Sequence, residues 1–194
     1  MLNMSGTRLE KARITFSAPE EDAGGSFQSL PLHPISLEAN VNLQELGLGI
    51  NTSELNDLAL FVRSVLQPRL ETISSKYLKD IYFIIESNSK WETDALLNAF
   101  DQEACYQTDE LLAEGHFAKL RGVSIAFRSD STELDDSQRV NFCTEICARF
   151  PKLNGKNMLS IDYNLCRFPS DAERALKAKQ LANKQPRPTE QGAT

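Results

Sequence analysis

The chain is predicted to fold as a single sheet of about four strands with helices packed on it, in the α+β class. Three observations predict this. Short apolar runs recur at residues 35–43, 81–85, 120–127 and 158–165. Between them, apolar residues recur at the three- and four-residue spacing of amphipathic helices. The first run, ISLEANVNL, alternates apolar and polar residues, which predicts a strand with one wet face. Parallel sheets are usually covered on both sides, so a wet face favours an antiparallel arrangement. The preferred assembly is therefore ferredoxin-like, βαββαβ, with residues 89–118 as a helical insertion between the second and third strands. The alternative is an α/β doubly wound fold with a mostly parallel sheet, favoured by the long crossover between those strands.

The elements follow in order. Residues 13–17 (RITFS) form a short strand within an extension, residues 1–33, that is only partly ordered. Turn formers and acids (PEEDAGGS) follow, then an extended LPLHP connector. Gly47 and Gly49 end the strand at 35–43. A helix starts among Asn51, Thr52 and Ser53, which are good caps, and its stripe runs through Leu55, Leu58, Val62, Val65 and Leu66. Pro68 kinks or splits it. The run IYFII at 81–85 reads as a strand buried on both faces. Ser89 and Glu92 have capping-box spacing before a helix over 93–104, and a short helix is expected over 108–113. LRGVSIAF at 120–127 is the third strand, 135–150 the next helix, and MLSIDYNL at 158–165 the last strand. The main α+β domain thus covers 34–168. Residues 169–194 are predicted to hold a basic helix, capped by Ser170 and Glu173, and a disordered end. No internal repeat is evident in the sequence.

Composition narrows the function. The 194 residues carry a formal net charge of −6, with 41% hydrophobic and 25% charged residues. An acidic balance disfavours a nucleic-acid binder, whose phosphate contacts need clustered cations. No apolar run approaches the roughly 20 residues needed to span a bilayer. The N-terminus MLNMSGTRLEKAR lacks the apolar core of a secretory signal, so a cytoplasmic protein with reduced cysteines is expected.

Motifs are scarce. Arg121-Gly122 matches the start of the third strand in the RNA-recognition motif, but Val123, Ile125 and Arg128 stand where its stacking aromatics would fall. Gly47-Leu48-Gly49 lacks the third glycine of a dinucleotide-binding loop and the Lys-Ser/Thr of a P-loop. Cys143 and Cys147 have a spacing that could share a zinc ion, yet no second ligand pair accompanies them, and both lie in an apolar helical stripe. Cys105 or Cys166 could pair with His116, without a local signature for catalysis. His33 reads as a connector residue.

Two functional readings result. The first is a non-catalytic protein-binding or regulatory module, such as an adaptor, inhibitor or immunity-type protein. Its binding residues are Glu38, Asn40 and Asn42 on the wet strand face, Trp91 at a helix start, and Arg174 and Lys177 in the basic tail. The alternative reading of Trp91, and the preferred one, is that it staples its helix to the body. This reading requires no cofactor. The second is a metal-dependent hydrolase or phosphoryl-transfer enzyme. There Glu86, Asp130 and Asp162, near strand C-termini, hold Mg²⁺ or Mn²⁺ if the strands run parallel.

Overall fold

The computed structural model describes residues 9–17, 37–87, 89, 91–114, 117–129, 135–163 and 166–168. The described strands are β1 (Lys11–Ser17), β2 (Glu45–Asn51), β3 (Asp80–Ser87), β4 (Gly122–Ser129), β5 (Leu159–Tyr163) and β6 (Cys166–Phe168). They form one sheet in the order β1-β2-β3-β4-β5-β6. The first five are parallel, and β6 adds an antiparallel edge to β5. The mixed α/β class is as expected, but the sheet is not the antiparallel ferredoxin-like one. Nor does the strand order reverse, as it does in a doubly wound fold.

Between β2 and β3 runs one helix in three pieces: α1 (Leu55–Phe61), a π-helical stretch (Val62–Leu66) and α2 (Gln67–Glu71). The π stretch accommodates Pro68, which has no N–H to donate and whose ring crowds the preceding turn. Between β3 and β4 lie α3 (Thr93–Ala99) and α4 (Gln102–Ala113). The helix expected over 93–104 breaks at Asp101, whose carboxylate accepts from the Ala104 amide at 2.9 Å and starts α4 afresh. The short helix expected over 108–113 is the end of α4. Between β4 and β5 lie α5 (Asp136–Arg149) and α6 (Pro151–Gly155). Asp135 and Gln138 close a capping box at the start of α5. The box expected from Ser89 and Glu92 does not form; Glu92 precedes α3 without a side-chain cap bond.

The strand expected over 35–43 is absent from its described part. Residues 37–43 instead make turns, in which Asn40 N–H donates to the Leu37 carbonyl (3.0 Å) and Leu43 N–H to the Asn40 carbonyl (3.2 Å). Leu37 and Leu43 are buried, whereas Ala39 and Val41 are exposed, so the alternation does not mark a sheet face. The strand lies one segment later, as β2, and contains Gly47 and Gly49, the glycines expected to end it. β1, placed by the sequence in an N-terminal extension, is a full member of the sheet.

The parallel register reveals a repeat. Ile14, Leu48, Phe83, Ile125 and Ile161 are equivalent across the sheet, 34, 35, 42 and 36 residues apart. Around Leu48 the chain reads Leu43-x-x-Leu46-x-Leu48. Leu78-x-x-Ile81-x-Phe83 and Leu120-x-x-Val123-x-Ile125 repeat its apolar positions, and all of these residues are buried. A backbone feature repeats with them. The carbonyls of Glu10, Gln44 and Lys79 each accept two amides from the next strand's lead-in: Gln44 and Glu45, Lys79 and Asp80, Arg121 and Gly122.

The core sits on one side of the sheet. The inward row of every parallel strand joins the buried residues of the helices in a single cluster. Ile84 is also buried, at 8% exposed, but lies outside that cluster because it points to the opposite face. All the described helices therefore share one face, and the other face of the five parallel strands carries no helix among the described residues.

Candidate functional site: the open face of the sheet

Residues of alternate position on each strand form the open face. The register sets them in four rows running from β1 toward β5. The first row is Lys11–Glu45–Asp80–Gly122 and the second Arg13–Gly47–Tyr82–Ser124–Ser160. The third is Thr15–Gly49–Ile84–Ala126–Asp162 and the fourth Ser17–Asn51–Glu86–Arg128. Neighbouring side chains in a row stand about 4.8 Å apart, the strand spacing.

Two properties distinguish this surface. Its middle rows have a floor of small residues (Gly47, Gly49, Ser124, Ala126 and Ser160), from which Tyr82 projects with 40% exposure. Its four cations, Lys11, Arg13, Arg121 and Arg128, are paired with acids and stand outermost. Lys11 Nζ meets Glu45 at 2.8 Å, and Arg121 Nη2 meets Asp80 at 3.1 Å. Arg128 Nη1 reaches Glu86 Oε1 at 3.0 Å from the adjacent strand. Arg13 reaches the same oxygen, at 3.5 Å, from two strands away. It does so by lying across β2: a Cβ on Gly47 would stand 3.3 Å from Arg13 Cγ. In these pairs the cation side chains are 46–70% exposed and the acids 25–35%. The hydrogen bond from Lys11 to Glu45, reinforced by the Glu45 charge, holds the ammonium above its usual pKa and therefore charged.

An open depression of about 390 Å³ lies over this floor near β1, bordered by Lys11, Arg13, Glu45, Gly47, Tyr82 and Ile84. At the other end of the face, Ser124 and Ser160 hydroxyls share a 2.8 Å hydrogen bond.

The sequence-predicted residues fall elsewhere or apart. Glu38 and Asn42 lie in the turns before β2, and Asn40 there is buried. Trp91 packs partly buried against the core, and its indole N–H donates to the Ser53 carbonyl at 3.1 Å. It ties the start of α3 to the loop before α1, which is the staple reading. Arg174 and Lys177 lie outside the described residues, as does Asp130. Glu86 and Asp162 do share the open face, but β4 stands between their strands, a separation of roughly 10 Å. Two arginines already hold Glu86, and their charge opposes a divalent cation there. Among the described residues, no three His, Cys, Asp or Glu side chains meet as a metal site.

Cys105 is buried in α4, and burial pushes its thiol pKa up to about 12. Cys143 is buried on α5, and Cys147 packs partly buried against the same core. His33, His116 and the Cys166 side chain lie outside what is described.

Arg13, Gly47, Tyr82 and Arg128 escaped the sequence reading as members of one surface. The available signal was the spacing Leu43-x-x-Leu46-x-Leu48-x-x-Asn51 and its degenerate echoes around Phe83 and Ile125. Those echoes use Ile, Val and Phe in place of Leu, and the intervals between them vary.

Fold and site together define a parallel strand–helix array whose described helices all lie on one side of the sheet. Comparison of the chain with protein-family models, with curated proteins and with solved structures gives no match.

Proposed function

We propose that the chain is a non-catalytic protein-binding module that holds its partner on the open face of the sheet. One observation carries this reading: among the described residues, five parallel strands have helices on one side only. Parallel sheets are generally covered on both faces, because the crossovers place helices there. Repeat arrays that leave one face open use extended surfaces of this kind for binding. The residues on the face support it: a small-residue floor, a projecting tyrosine and outward-facing cations, with aromatic and arginine side chains being those that anchor interfaces.

The same proposal takes the compartment to be the reducing cytoplasm. Cys105 is a buried thiol, and no helix among the described residues is long and apolar enough to cross a membrane. No specific observation favours the metal-dependent reading.

The test is site-specific photocrosslinking in the native cell. A benzophenone amino acid replaces Tyr82 on the open face. In a second variant it replaces Val140, 42% exposed on α5 at the helical side. A discrete protein adduct at position 82 and none at 140 is the expected result. Matching adducts at the two positions, or none at 82, would overturn the proposal.

A further inference from the structure

We infer that the lead-in edge of the sheet, where the chain enters β2, β3 and β4, is a second docking surface, and that it takes an acidic peptide segment. Its lysines lie outside the rows of the open face, so it stands whether or not that face binds a partner.

The repeat brings cations together at this edge. Leu43, Leu78 and Leu120 are buried at equivalent places in successive repeats, so the residues beside them fall into rows as well. Asn42, Tyr77 and Lys119 make one row, preceded by Val41, Lys76 and Ala118. Gln44, Lys79 and Arg121 make the row after the leucines. Contacts run along these rows. Lys119 Nζ stands 4.5 Å from the centre of the Tyr77 ring, and Lys79 Nζ donates to Gln44 Oε1 at 2.6 Å. In the backbone, Lys79 N–H donates to the Gln44 carbonyl and Arg121 N–H to that of Lys79. The Ser75 hydroxyl donates toward the Val41 carbonyl at 3.0 Å and accepts the Tyr77 amide at 3.2 Å. It thereby ties together the segments that carry the exposed Val41 and Tyr77.

Charge here is unbalanced. The three rows hold four cations and no carboxylate. The acids that open the neighbouring strands are already held, Asp80 by Arg121 and Glu45 by Lys11. Glu10 acts on Lys11, and Glu38 lies in the turn before Val41. Among the described residues, Lys76, Lys79 and Lys119 face neutral groups, the Tyr77 ring and the Gln44 amide oxygen. A carboxylate brought to these ammonium groups gains charge-assisted hydrogen bonds, while Val41 and Tyr77 offer apolar contact to its stem. The rest of the chain sets the kind of anion. With a net charge of −6, it repels a long polyanion such as a nucleic acid, whose charge would extend over acidic surface. A short acidic segment covers the lysines alone.

The test is a titration of the isotope-labelled full chain with hexaglutamate amide at low salt, followed by amide chemical shifts. Hexalysine amide and a long single-stranded oligothymidylate are the comparison probes. Saturable shifts at the Tyr77, Lys79 and Lys119 amides are expected, with weaker binding of both comparison probes. The double variant Lys76→Gln, Lys119→Gln is expected to bind hexaglutamate at least tenfold less tightly, about 1.4 kcal/mol. Amide dispersion of that variant shows that its fold persists. Added salt should weaken the parent's binding as the screening length falls to about 10 Å and below. Shifts centred on another surface, no shifts, equal binding of hexalysine, or undiminished binding by the double variant overturn the inference. Tighter binding of the oligothymidylate at the same amides overturns the choice of a peptide.

Discussion

Asp109 shows how much one buried carboxylate can organise. It is fully buried at the middle of α4, and its two oxygens accept the backbone amides of Lys152 and Leu153, at 2.8 and 2.9 Å. It therefore caps the start of α6 from another helix and ties the β4–β5 crossover to the β3–β4 crossover. Asp109→Ala leaves two amides without this acceptor. We expect a loss of about 2–4 kcal/mol in urea unfolding, with Asp109→Asn in between because one oxygen still accepts. Cys105 makes a prediction about pH. Burial raises its folded pKa from 9.0 to about 12, with the charges of Asp101 and Asp109 adding to the rise and that of Arg149 opposing it. A thiol that keeps its proton longer in the folded state stabilises below the unfolded pKa, and that stability is lost as pH rises. Stability should fall between about pH 9 and pH 12, and Cys105→Ala should flatten part of that slope. In native protein at pH 8, Cys147 should react with a thiol reagent before Cys105; the reverse order would contradict the burial argument.

At the scale of the element, β2 is the informative strand. Its inward residues Leu46, Leu48 and Ile50 are fully buried, so one face alone holds it in the sheet. This is why a strand with two glycines survives, although glycine is a poor strand former. The two positions differ in what a methyl group would strike. Gly47→Ala should leave the melting temperature unchanged or slightly raised, since Arg13 can shift. Gly49→Ala should lower stability by about 1–3 kcal/mol, because the Ile84 backbone cannot shift. Equal melting temperatures would show that the strand spacing relaxes. The long helix before β3 follows the same logic. Its stripe of Leu58, Phe61, Val62, Val65, Leu66 and Leu70 stays buried through the π stretch, so packing keeps together what Pro68 would divide.

For the whole molecule, the array implies graded stability. Each described strand pairs only with its sequence neighbours in the sheet, as in repeat proteins, where neighbour interfaces hold the stack together. Amides of β3 and β4 should exchange slowest with solvent hydrogen, those of β2 and β5 faster, and those of β1 and β6 fastest. Uniform protection would instead indicate one cooperative unit. The repeated lead-in leucines, Leu43, Leu78 and Leu120, occupy equivalent places, so truncation of each to Ala should cost a similar amount, about 2–5 kcal/mol.

Local pattern was legible where one side chain face or one cap decides it. The apolar runs at 81–85 and 120–127, the amphipathic stripes and the helix at 135–150 depend on neighbours three or four residues apart, and they stand in the structure. The start of β2 was not legible, because Gly47 and Gly49 resemble a turn until strands on both sides hold them extended. The alternation at 35–43 misled for the complementary reason: Leu37 and Leu43 are buried by turns that fold back on the helices. Strand direction, the one-sided placement of the helices and the meeting of Arg13, Glu86 and Arg128 came only with the tertiary structure. Those residues are more than 40 positions apart in sequence at each step from Glu86, and no local interaction links them. Parallel pairing sets them in register, and register is a property of the sheet.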